Sequence, residues 1–344
     1  MSTDTHVSAI PDAGKIIELS MAFCASKVLH GAVEVGLFAE LAKGPATGDE
    51  LRERLGLAQR ATADFLQALV RMNLIERTGG GYANTPLAAR YLVPGEPHYL
   101  GHFLDRTDRV LYPAWGSFQA ALRTGEAQLE EPRNPGNMFV NLYRDPDAMR
   151  HFLAMMDALT GVLGPQLAEA FEWSRYGSVV DVGGARGNLI GHLVRAHPHL
   201  TATVFDLPPV APAFAERMEV LGLTGRVDFV GGDFFTDPLP EADVIVLGHV
   251  LEDWSTEQKQ LLIKQAFQAI RPGGALLVYD PMLDEELSSL VNTLTSLTML
   301  VVTRGGAEYT SDECRQWMVE AGFTDPSARP LGSSDILVVG RKKG

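Results

Sequence analysis

The spacing of apolar residues predicts a helical first hundred residues. Apolar side chains recur near every 3.6 residues from 16 to 41, which predicts a long helix. Thr47 precedes GDELRERLGL, the pattern of an N-cap and a short helix, and a longer amphipathic helix is predicted over residues 61 to 74. The segment IERTGGGYANTP predicts two short strands in a hairpin. This order of elements predicts a winged-helix domain over residues 1 to 100.

Residues 101 to 173 form a second, largely helical segment rich in aromatic and methionine side chains. The core of a helical layer is the simplest interpretation of any one of them. As a group they also suit the apolar walls of a pocket that holds a ring-bearing ligand. The candidate substrate contacts in this segment are Phe152, Met155 and Met156.

Residues 174 to 344 alternate between apolar strands and segments of helical length. The strands are predicted in VVDVG, TATVFDL, RVDFVGGDFF, ADVIVLGHV and ALLVYDPM. Such alternation predicts an α/β domain with a mostly parallel, Rossmann-like sheet covered by helices. A last strand, DILVVGRKK, is predicted as an antiparallel strand at the edge of the sheet.

Charge argues against a nucleic-acid partner, although a winged-helix unit invites that hypothesis. The 344-residue chain has a net charge of -14. The presumed recognition helix, from Arg60 to Arg71, offers two arginines and the acid Asp64, and the hairpin offers only Arg77. Binding to phosphates requires a face rich in Lys and Arg. The N-terminal domain is therefore interpreted as a scaffold or dimerisation module.

Other sequence features point to a cytoplasmic enzyme without a metal. No uninterrupted apolar stretch reaches the roughly 18 residues of a membrane helix, and the N-terminus lacks a signal-peptide pattern. Cys24 and Cys314 have no CxxC spacing, so they are expected to be reduced thiols. A pair of histidines suited to a metal is not evident.

A glycine-rich turn supplies the strongest candidate chemistry. Asp181, Gly183, Ala185 and Gly187 alternate with other residues after the strand VVDV, and Asp206 ends the next strand. Glycines allow backbone to approach a ligand, and an acid at the tip of the second strand can accept hydrogen bonds from ribose hydroxyls. The pattern differs from the GxGxxG of dinucleotide sites. It resembles the D/E-x-G-x-G-x-G signature of class I methyltransferases that use S-adenosylmethionine (SAM), with Ala185 at the middle glycine.

Several motifs in order extend this resemblance from residue 16 to residue 342. They are VVDVGGARG, TVFDLPPV, GGDFF, HVLEDWS, IRPGGALLVYD and RGGAEYT. The chain resembles the two-domain small-molecule O-methyltransferases, which include plant caffeate-type enzymes, acetylserotonin methyltransferase and bacterial natural-product tailoring enzymes. The resemblance implies a homodimer that binds SAM and a small aromatic or heteroaromatic substrate in a pocket between its domains.

The resemblance also assigns roles to residues at the cofactor. Gly183 and Gly187 are expected beside the methionine part of SAM, and Asp206 is expected to bind both ribose hydroxyls. Residues of GGDFF are expected to contact the adenine, and Trp254 is expected to pack near it as well. The full cofactor set implied by the resemblance is Asp181, Gly183, Gly187, Asp206, Asp233, Phe234 and Trp254.

At the catalytic position the sequence departs from the family pattern. The usual general base is a histidine in an HDW-type motif, flanked by two acids, but here the motif reads LEDW and the position holds Glu252. The flanking acids are matched by Asp280 and Glu308. Asp253 also matches, and Met299 stands where the family places a methionine against the substrate.

Glu252 leaves the methylated atom open. A phenol with a pKa near 10 lies about 5.7 units above a glutamate near 4.3, or roughly 8 kcal/mol, against roughly 5 kcal/mol for a histidine. Three converging carboxylates disfavour an anion and suit an N–H or O–H donor, so methylation at carbon or nitrogen is an alternative to oxygen. Alternatively, Glu252 occupies the position of the missing histidine base without a chemical role of its own. His249 and His151 are weaker candidates for a base.

Two further classes of function remain at this stage. An enzyme that binds SAM without transferring its methyl group would consume substrate and form no S-adenosylhomocysteine. A DNA-binding regulator would require the basic wing that this chain lacks.

Overall fold

The computed structural model describes residues 13–129, 138–287 and 289–344, and it divides the chain into two compact units. The first unit is Met1–Asp108 and the second is Arg109–Gly344. Each has its own apolar core.

The first unit follows the predicted order of helices and hairpin. The helix predicted over residues 16 to 41 is divided in two, because Gly36 adopts a left-handed conformation with φ of 75° between the two pieces. The elements are α1 (Gly14–Glu34), α2 (Leu37–Leu41), α3 (Gly48–Leu55), α4 (Gln59–Arg71), β1 (Ile75–Thr78), β2 (Gly81–Asn84), α5 (Pro86–Tyr91) and α6 (Gly101–Arg106).

The predicted N-cap before α3 is confirmed. The Thr47 hydroxyl accepts a hydrogen bond from the Glu50 backbone N–H, and the Glu50 carboxylate accepts one from the Thr47 backbone N–H. This capping box satisfies two backbone donors that the first turn of a helix leaves without partners. β1 and β2 pair antiparallel as predicted. The winged-helix assignment itself stays a prediction.

α1 exposes apolar side chains along its first half. Ile16, Ile17, Leu19, Met21 and Phe23 are each 52% to 73% exposed. Contiguous exposed apolar surface of this kind marks an interaction site more often than free surface. By length and composition alone, α1 could also cross a membrane, a possibility that the sequence reading had excluded. One such helix is weak evidence for a membrane.

The second unit begins with helices that precede its sheet. A π-helical turn over Thr107–Leu111 crosses the boundary between the units. The helices are α7 (Tyr112–Trp115), α8 (Phe118–Thr124), α9 (Met138–Leu142) and α10 (Pro146–Glu169). Asp145 caps α10 by accepting hydrogen bonds from the backbone N–H groups of Asp147 and Ala148. This segment is largely helical, as predicted for residues 101 to 173.

A seven-stranded sheet forms the centre of the second unit, and this confirms the predicted α/β class. The strand order is β5-β4-β3-β6-β7-β9-β8, with β3 to β7 parallel. The elements are β3 (Ser178–Val182), α11 (Asn188–Ala196), β4 (Thr201–Asp206), α12 (Ala211–Val220), β5 (Asp228–Gly231), β6 (Ala242–Gly248), α13 (Thr256–Ala269), β7 (Ile270–Asp280), α14 (Leu290–Val302), α15 (Ser311–Ala321), β8 (Thr324–Leu331) and β9 (Asp335–Arg341).

The prediction that the last strand is the sheet edge is wrong. β9 is antiparallel, as predicted, but it lies between β7 and β8, and β8 is the edge. Six of the seven residues of β9 are buried, as expected of an internal strand. β8 contains Pro326 and Pro330, which weaken a strand pattern in sequence and are tolerated at an edge because proline donates no ladder hydrogen bond.

The order of strands places a crevice beside β3. The chain runs outward from β3 to β4 and β5, then returns to the other side of β3 as β6. Such a reversal of strand order opens a crevice outside the carboxyl ends of the strands, where open α/β sheets bind ligands. β3, β4, β5 and β6 end at Val182, Asp206, Gly231 and Gly248, so each predicted cofactor motif lies at or after the end of one of these parallel strands.

Candidate active site

A cavity of about 530 Å³ opens at the carboxyl ends of these strands. All of its lining residues belong to the second unit: Phe139, Tyr143, Phe152, Met156, Gly183, Ala185, Asp206, Leu207, Gly232, Asp233, Phe234, His249, Val250, Asp253 and Trp254. Five of the seven predicted cofactor residues are among them.

The glycine-rich turn after β3 is built by left-handed backbone. Gly183, Ala185 and Gly187 have φ of 73°, 50° and 77°. A Cβ on Gly183 would lie 2.8 Å from Cγ2 of Val250, so only glycine fits there without a shift of its neighbour. Ala185 holds the same kind of conformation with a side chain, which disfavours it by about 1–2 kcal/mol. Gly187 lines neither of the two described cavities and instead begins α11 as its N-cap.

Asp206 is buried at the end of β4 and anchors the turn. Its Oδ2 accepts a hydrogen bond from the Ala185 N–H at 2.8 Å, and its Oδ1 accepts one from the Leu207 N–H at 2.7 Å. Burial raises the pKa of Asp206 to about 6, although these two backbone donors favour the carboxylate. Each carboxylate oxygen can accept a further hydrogen bond, which fits a ribose diol.

Asp181 lies deeper, against a second, smaller hollow shared with Met156, Gly183 and Tyr279. Burial, and then the neighbouring charge of Asp206, raise the pKa of Asp181 to about 8. Its Oδ2 is buried without a hydrogen-bond partner. A buried polar atom without a hydrogen-bond partner indicates that a ligand group binds there. A cationic amino group of a ligand would favour the ionised form of Asp181.

The other end of the cavity is aromatic. The Trp254 ring stands edge-on to Phe234 and Phe235, with ring centroids 5.7 and 4.7 Å away, and its Nε1 is buried without a partner. Asp233 accepts a hydrogen bond from the Phe235 N–H at 3.0 Å and lines the same wall. A flat apolar wall beside a carboxylate suits a heteroaromatic base with an amino edge. The residues present therefore fit SAM from ribose to adenine.

The predicted substrate residues fall into two groups. Phe152, Met156 and Asp253 line the main cavity. Met155 is buried on α10 and lines neither described cavity, and Met299 on α14 packs against the cluster of Ala114, Ala121, Val301 and Val302. Phe139 and Tyr143, which the sequence suggested as pocket walls only as members of the aromatic group in this helical segment, also line the cavity. Their helical spacing was the available signal, but it is also the signal of core packing.

The predicted catalytic carboxylates meet in the interior behind the cavity wall. Glu252, Asp280 and Glu308 are 7%, 0% and 7% exposed. The Tyr309 hydroxyl donates a hydrogen bond to Asp280 Oδ2. The buried ammonium of Lys259 donates to the carbonyls of Trp254 and Ala307 and supplies a positive charge beside the cluster.

These carboxyl groups divide into ionised and protonated members. For Glu252, burial opposes ionisation, but a hydrogen bond from Glu308, contact with His249 and the charge of Lys259 lower its pKa to about 2. Burial and the negative charge of Glu252 raise the pKa of both Glu308 and Asp280 far above the usual range. With Glu308 and Asp280 favouring their protonated forms, Glu252 is the anion of the cluster.

His249, which directly follows β6, is packed between two carboxylates. Its Nδ1 lies 3.2 Å from Glu252 Oε1, and its Nε2 lies 2.7 Å from Oδ1 of Asp335. The backbone of His249 has φ of 52°, which is rare outside glycine. Asp335 carried no signal in sequence, because it begins β9 more than 80 residues later. His151 is exposed on α10.

His249, Glu252 and Asp280 each offer a possible metal-ligand atom, and these atoms lie within 4.8 Å of one another. The positive charge that the carboxylates need is already supplied by Lys259 and a protonated His249. An imidazolium has no free lone pair for a metal. The donor set therefore fits a proton-sharing cluster better than a cation site.

Known proteins resemble this chain along its whole length. An O-methyltransferase dimerisation domain matches residues 17–94, and an O-methyltransferase domain matches residues 115–324. The chain is 47% identical over 344 residues to the tetracenomycin polyketide synthesis 8-O-methyl transferase TcmO of Streptomyces glaucescens, with 99% of both chains covered. It is 39% identical over 342 residues to the N,N-dimethyltransferase OxyT of Streptomyces rimosus, with the same coverage.

Among solved structures, human N-acetylserotonin methyltransferase in complex with SAM has a closely similar fold. The TM-score is 0.87 at 29% identity, and the alignment covers 98% of this chain and 99% of that chain.

Proposed function

The chain belongs to the SAM-dependent O-methyltransferase family, and we propose that it methylates a phenolic hydroxyl of a polycyclic aromatic compound of polyketide type. The observation that carries this proposal is the cavity itself, where cofactor residues and an aromatic wall share one space. The 47% identical relative, named for 8-O-methylation in polyketide synthesis, supports the substrate class.

The aromatic wall suits a flat substrate. Phe139, Tyr143, Phe152 and Trp254 form a continuous set of tilted ring contacts, with centroids 5.6 to 6.3 Å apart. Ring-on-ring packing of this kind holds extended aromatic ligands. Met156 adds an unbranched side chain that adapts to the ligand's outline.

The cofactor supplies an electrophilic methyl group, and the protein supplies position and proton acceptance. With a pKa of about 2 for Glu252, full ionisation of a phenol near 10 before transfer would cost roughly 11 kcal/mol. We therefore propose that Glu252 accepts a hydrogen bond from the acceptor O–H and takes the proton late. As the O–CH₃ bond forms and the S–CH₃ bond breaks, the acceptor oxygen becomes strongly acidic, and even a weak base suffices.

A nitrogen acceptor is the second candidate, and the 39% identical N,N-dimethyltransferase favours it. An anionic Glu252 would stabilise the cation that forms when an amine attacks the methyl group, with no proton removed beforehand. A SAM-binding enzyme without methyl transfer remains the contrasting hypothesis.

We also propose the arrangement of the whole enzyme. Residues 1–100 form the dimerisation domain, residues 101–173 carry substrate-contacting helices, and residues 174–344 bind SAM. The exposed apolar face of α1 is covered by a second copy of the chain, in agreement with the dimerisation domain matched at residues 17–94. The enzyme acts in the cytoplasm.

Incubation with deuterated-methyl SAM and a panel of hydroxylated polycyclic aromatics, aromatic amines and indoles tests the proposal. Mass spectrometry would detect the label and NMR would assign the labelled atom. A label on phenolic oxygen is expected, together with an equal amount of S-adenosylhomocysteine. A label confined to nitrogen or carbon would overturn the choice of oxygen. Consumption of substrate without S-adenosylhomocysteine would overturn methyl transfer.

A further inference from the structure

His249 is held on both ring nitrogens by carboxylates from different parts of the chain. Asp335, buried at the start of β9, approaches Nε2 at 2.7 Å, and Glu252 approaches Nδ1 at 3.2 Å. The edge of the ring faces Tyr279 of β7 at 5.5 Å between centroids. We call Asp335, His249 and Glu252 the clamp.

The backbone at His249 is itself strained. A positive φ of 52° is uncommon for a residue with a side chain and persists only when surrounding contacts enforce it. The strained residue directly follows β6 and lines the cavity, three positions before Glu252. Strain at such a place suggests that the direction of the ring matters to the site.

The chemistry of the clamp requires a protonated ring. A neutral imidazole donates from one nitrogen only, whereas an imidazolium donates from both. Burial disfavours the charged ring, but the charge and hydrogen bond of Asp335, followed by those of Glu252, raise the pKa of His249 well above its usual value. A ring protonated in this way is not a base for the acceptor, which contradicts its candidacy as a substitute base.

We propose that His249 is a positioning residue for methyl transfer, which fixes the direction of the Glu252 carboxylate and sets the lower pH limit of the reaction. The inference rests on the proposed function of Glu252. Asp335 acts as the group that orients the ring, as carboxylates do for histidines in many sites. Glu252 Oε1 faces His249, and the Glu308 carboxyl holds the same carboxylate from another side, so its direction is fixed by two neighbours.

The charged and titratable groups around the clamp come from several elements. The titratable groups packed near His249 are Asp280 and Tyr279 of β7, Asp335 of β9 and Glu252. The pKa of Glu252 is lowered by a hydrogen bond from Glu308 and by the charge of Lys259. Removal of the imidazolium takes away one of two cations near Glu252, so the pKa of Glu252 must rise. The reaction needs the carboxylate, and it would then fail at a higher pH than in the parent enzyme.

The test uses the full-length enzyme with SAM and two readouts. ¹⁵N NMR of the imidazole groups, with His249→Asn for assignment, reports the ring without any methyl transfer. Both ring nitrogens are expected to stay protonated at pH 8, and Asp335→Asn is expected to lower the pKa of the ring by at least one unit. A ring that titrates near 6.5 in the parent enzyme would overturn the clamp.

The second readout is the pH profile of kcat/KM. His249→Asn is chosen because asparagine tolerates positive φ. At saturating SAM, which removes the effect of pH on cofactor binding, its kcat/KM for the acceptor is expected to fall as the pH is lowered from 9 to 6, a range over which the parent enzyme keeps its activity. The control His197→Asn, at a ring bonded only to the Ala168 carbonyl among the described contacts, should keep the parent profile.

A loss in His249→Asn that is uniform across pH would mean a structural role and would overturn the positioning role. If the parent enzyme methylates no acceptor, the proposed function fails instead, and the NMR titration alone decides whether the clamp exists.

Discussion

Glu252 shows how far the behaviour of one residue depends on its neighbours. A glutamate at the position of a family histidine is a weaker base by its intrinsic pKa, and the structure lowers that pKa further. In the reaction that we propose, Glu252 contributes its fixed negative charge. The anion is tolerated in the interior because Glu308 donates to it and Lys259 and His249 compensate its charge.

Replacement of Glu252 by Gln removes this charge and keeps the shape of the side chain. We expect a fall in kcat of about 100-fold or more, the usual contribution of general-base catalysis, with little change in SAM affinity. Single-turnover assays with labelled SAM and calorimetric titration measure the two effects. The exposed neighbour Glu257→Gln is the control. Undiminished turnover in Glu252→Gln would make Glu252 a spectator.

Asp206 predicts a pH dependence for cofactor binding. Its pKa is raised by burial to about 6, so the carboxylate that accepts ribose hydroxyls is present above that pH and is lost as pH falls through it. SAM should bind about tenfold more weakly at pH 5 than at pH 8. Calorimetric titration across this range measures the effect. In Asp206→Asn, SAM should bind weakly at every pH, and persistence of the same pH dependence there would assign it to another group.

At the scale of elements, the turn between β3 and α11 follows the glycine-rich family signature except at Ala185. Ala185 stands where the family signature has glycine, yet its φ is 50°, and its N–H is committed to Asp206. The hydrogen bond and the surrounding glycines hold the alanine in a conformation that it does not favour. A pattern-based reading noted the substitution but could not show that the left-handed backbone survives it.

Replacement of Ala185 by Gly should relieve this strain. The gain of about 1–2 kcal/mol from left-handed backbone is offset by about 0.4–1 kcal/mol from the freer unfolded chain. The free energy of unfolding should therefore rise by up to about 1.6 kcal/mol, measured by urea titration. Gly187→Ala, whose Cβ would lie 3.0 Å from Phe214 and Met218 side chains, should lower it. A destabilised Ala185→Gly would show that the alanine methyl packs favourably.

The edge of the sheet illustrates what local pattern cannot supply. β3, β6 and the last seven residues of β7 were predictable because burial on both faces produces continuous apolar runs. β8 has an alternating, mostly exposed pattern broken by two prolines, so it resembles a loop in sequence. Its strand character comes from pairing with β9, which is a tertiary contact.

For the whole molecule, the apolar face of α1 predicts the assembly state. We expect the parent enzyme to be a dimer in size-exclusion chromatography with light scattering. Phe23→Asp, at a side chain 52% exposed in one chain, should bury a charge at the proposed interface and shift the enzyme toward monomer. Val220→Asp, at a 70% exposed apolar residue on α12, is the matched control and should remain dimeric. An unchanged dimer in Phe23→Asp would exclude this face.

By itself, the sequence determined the α/β class and the order of most elements, because these follow from local periodicity. Its resemblance to the methyltransferase family implied the SAM-binding residues and the three carboxylates, because short motifs match the family at those positions. Tertiary structure decided which carboxylate is ionised, because a buried pKa depends on burial and on charges brought in from distant strands. Asp335 reaches His249 from β9, and Lys259 reaches the cluster from α13. No local pattern connects those positions, since only the folded sheet makes them neighbours.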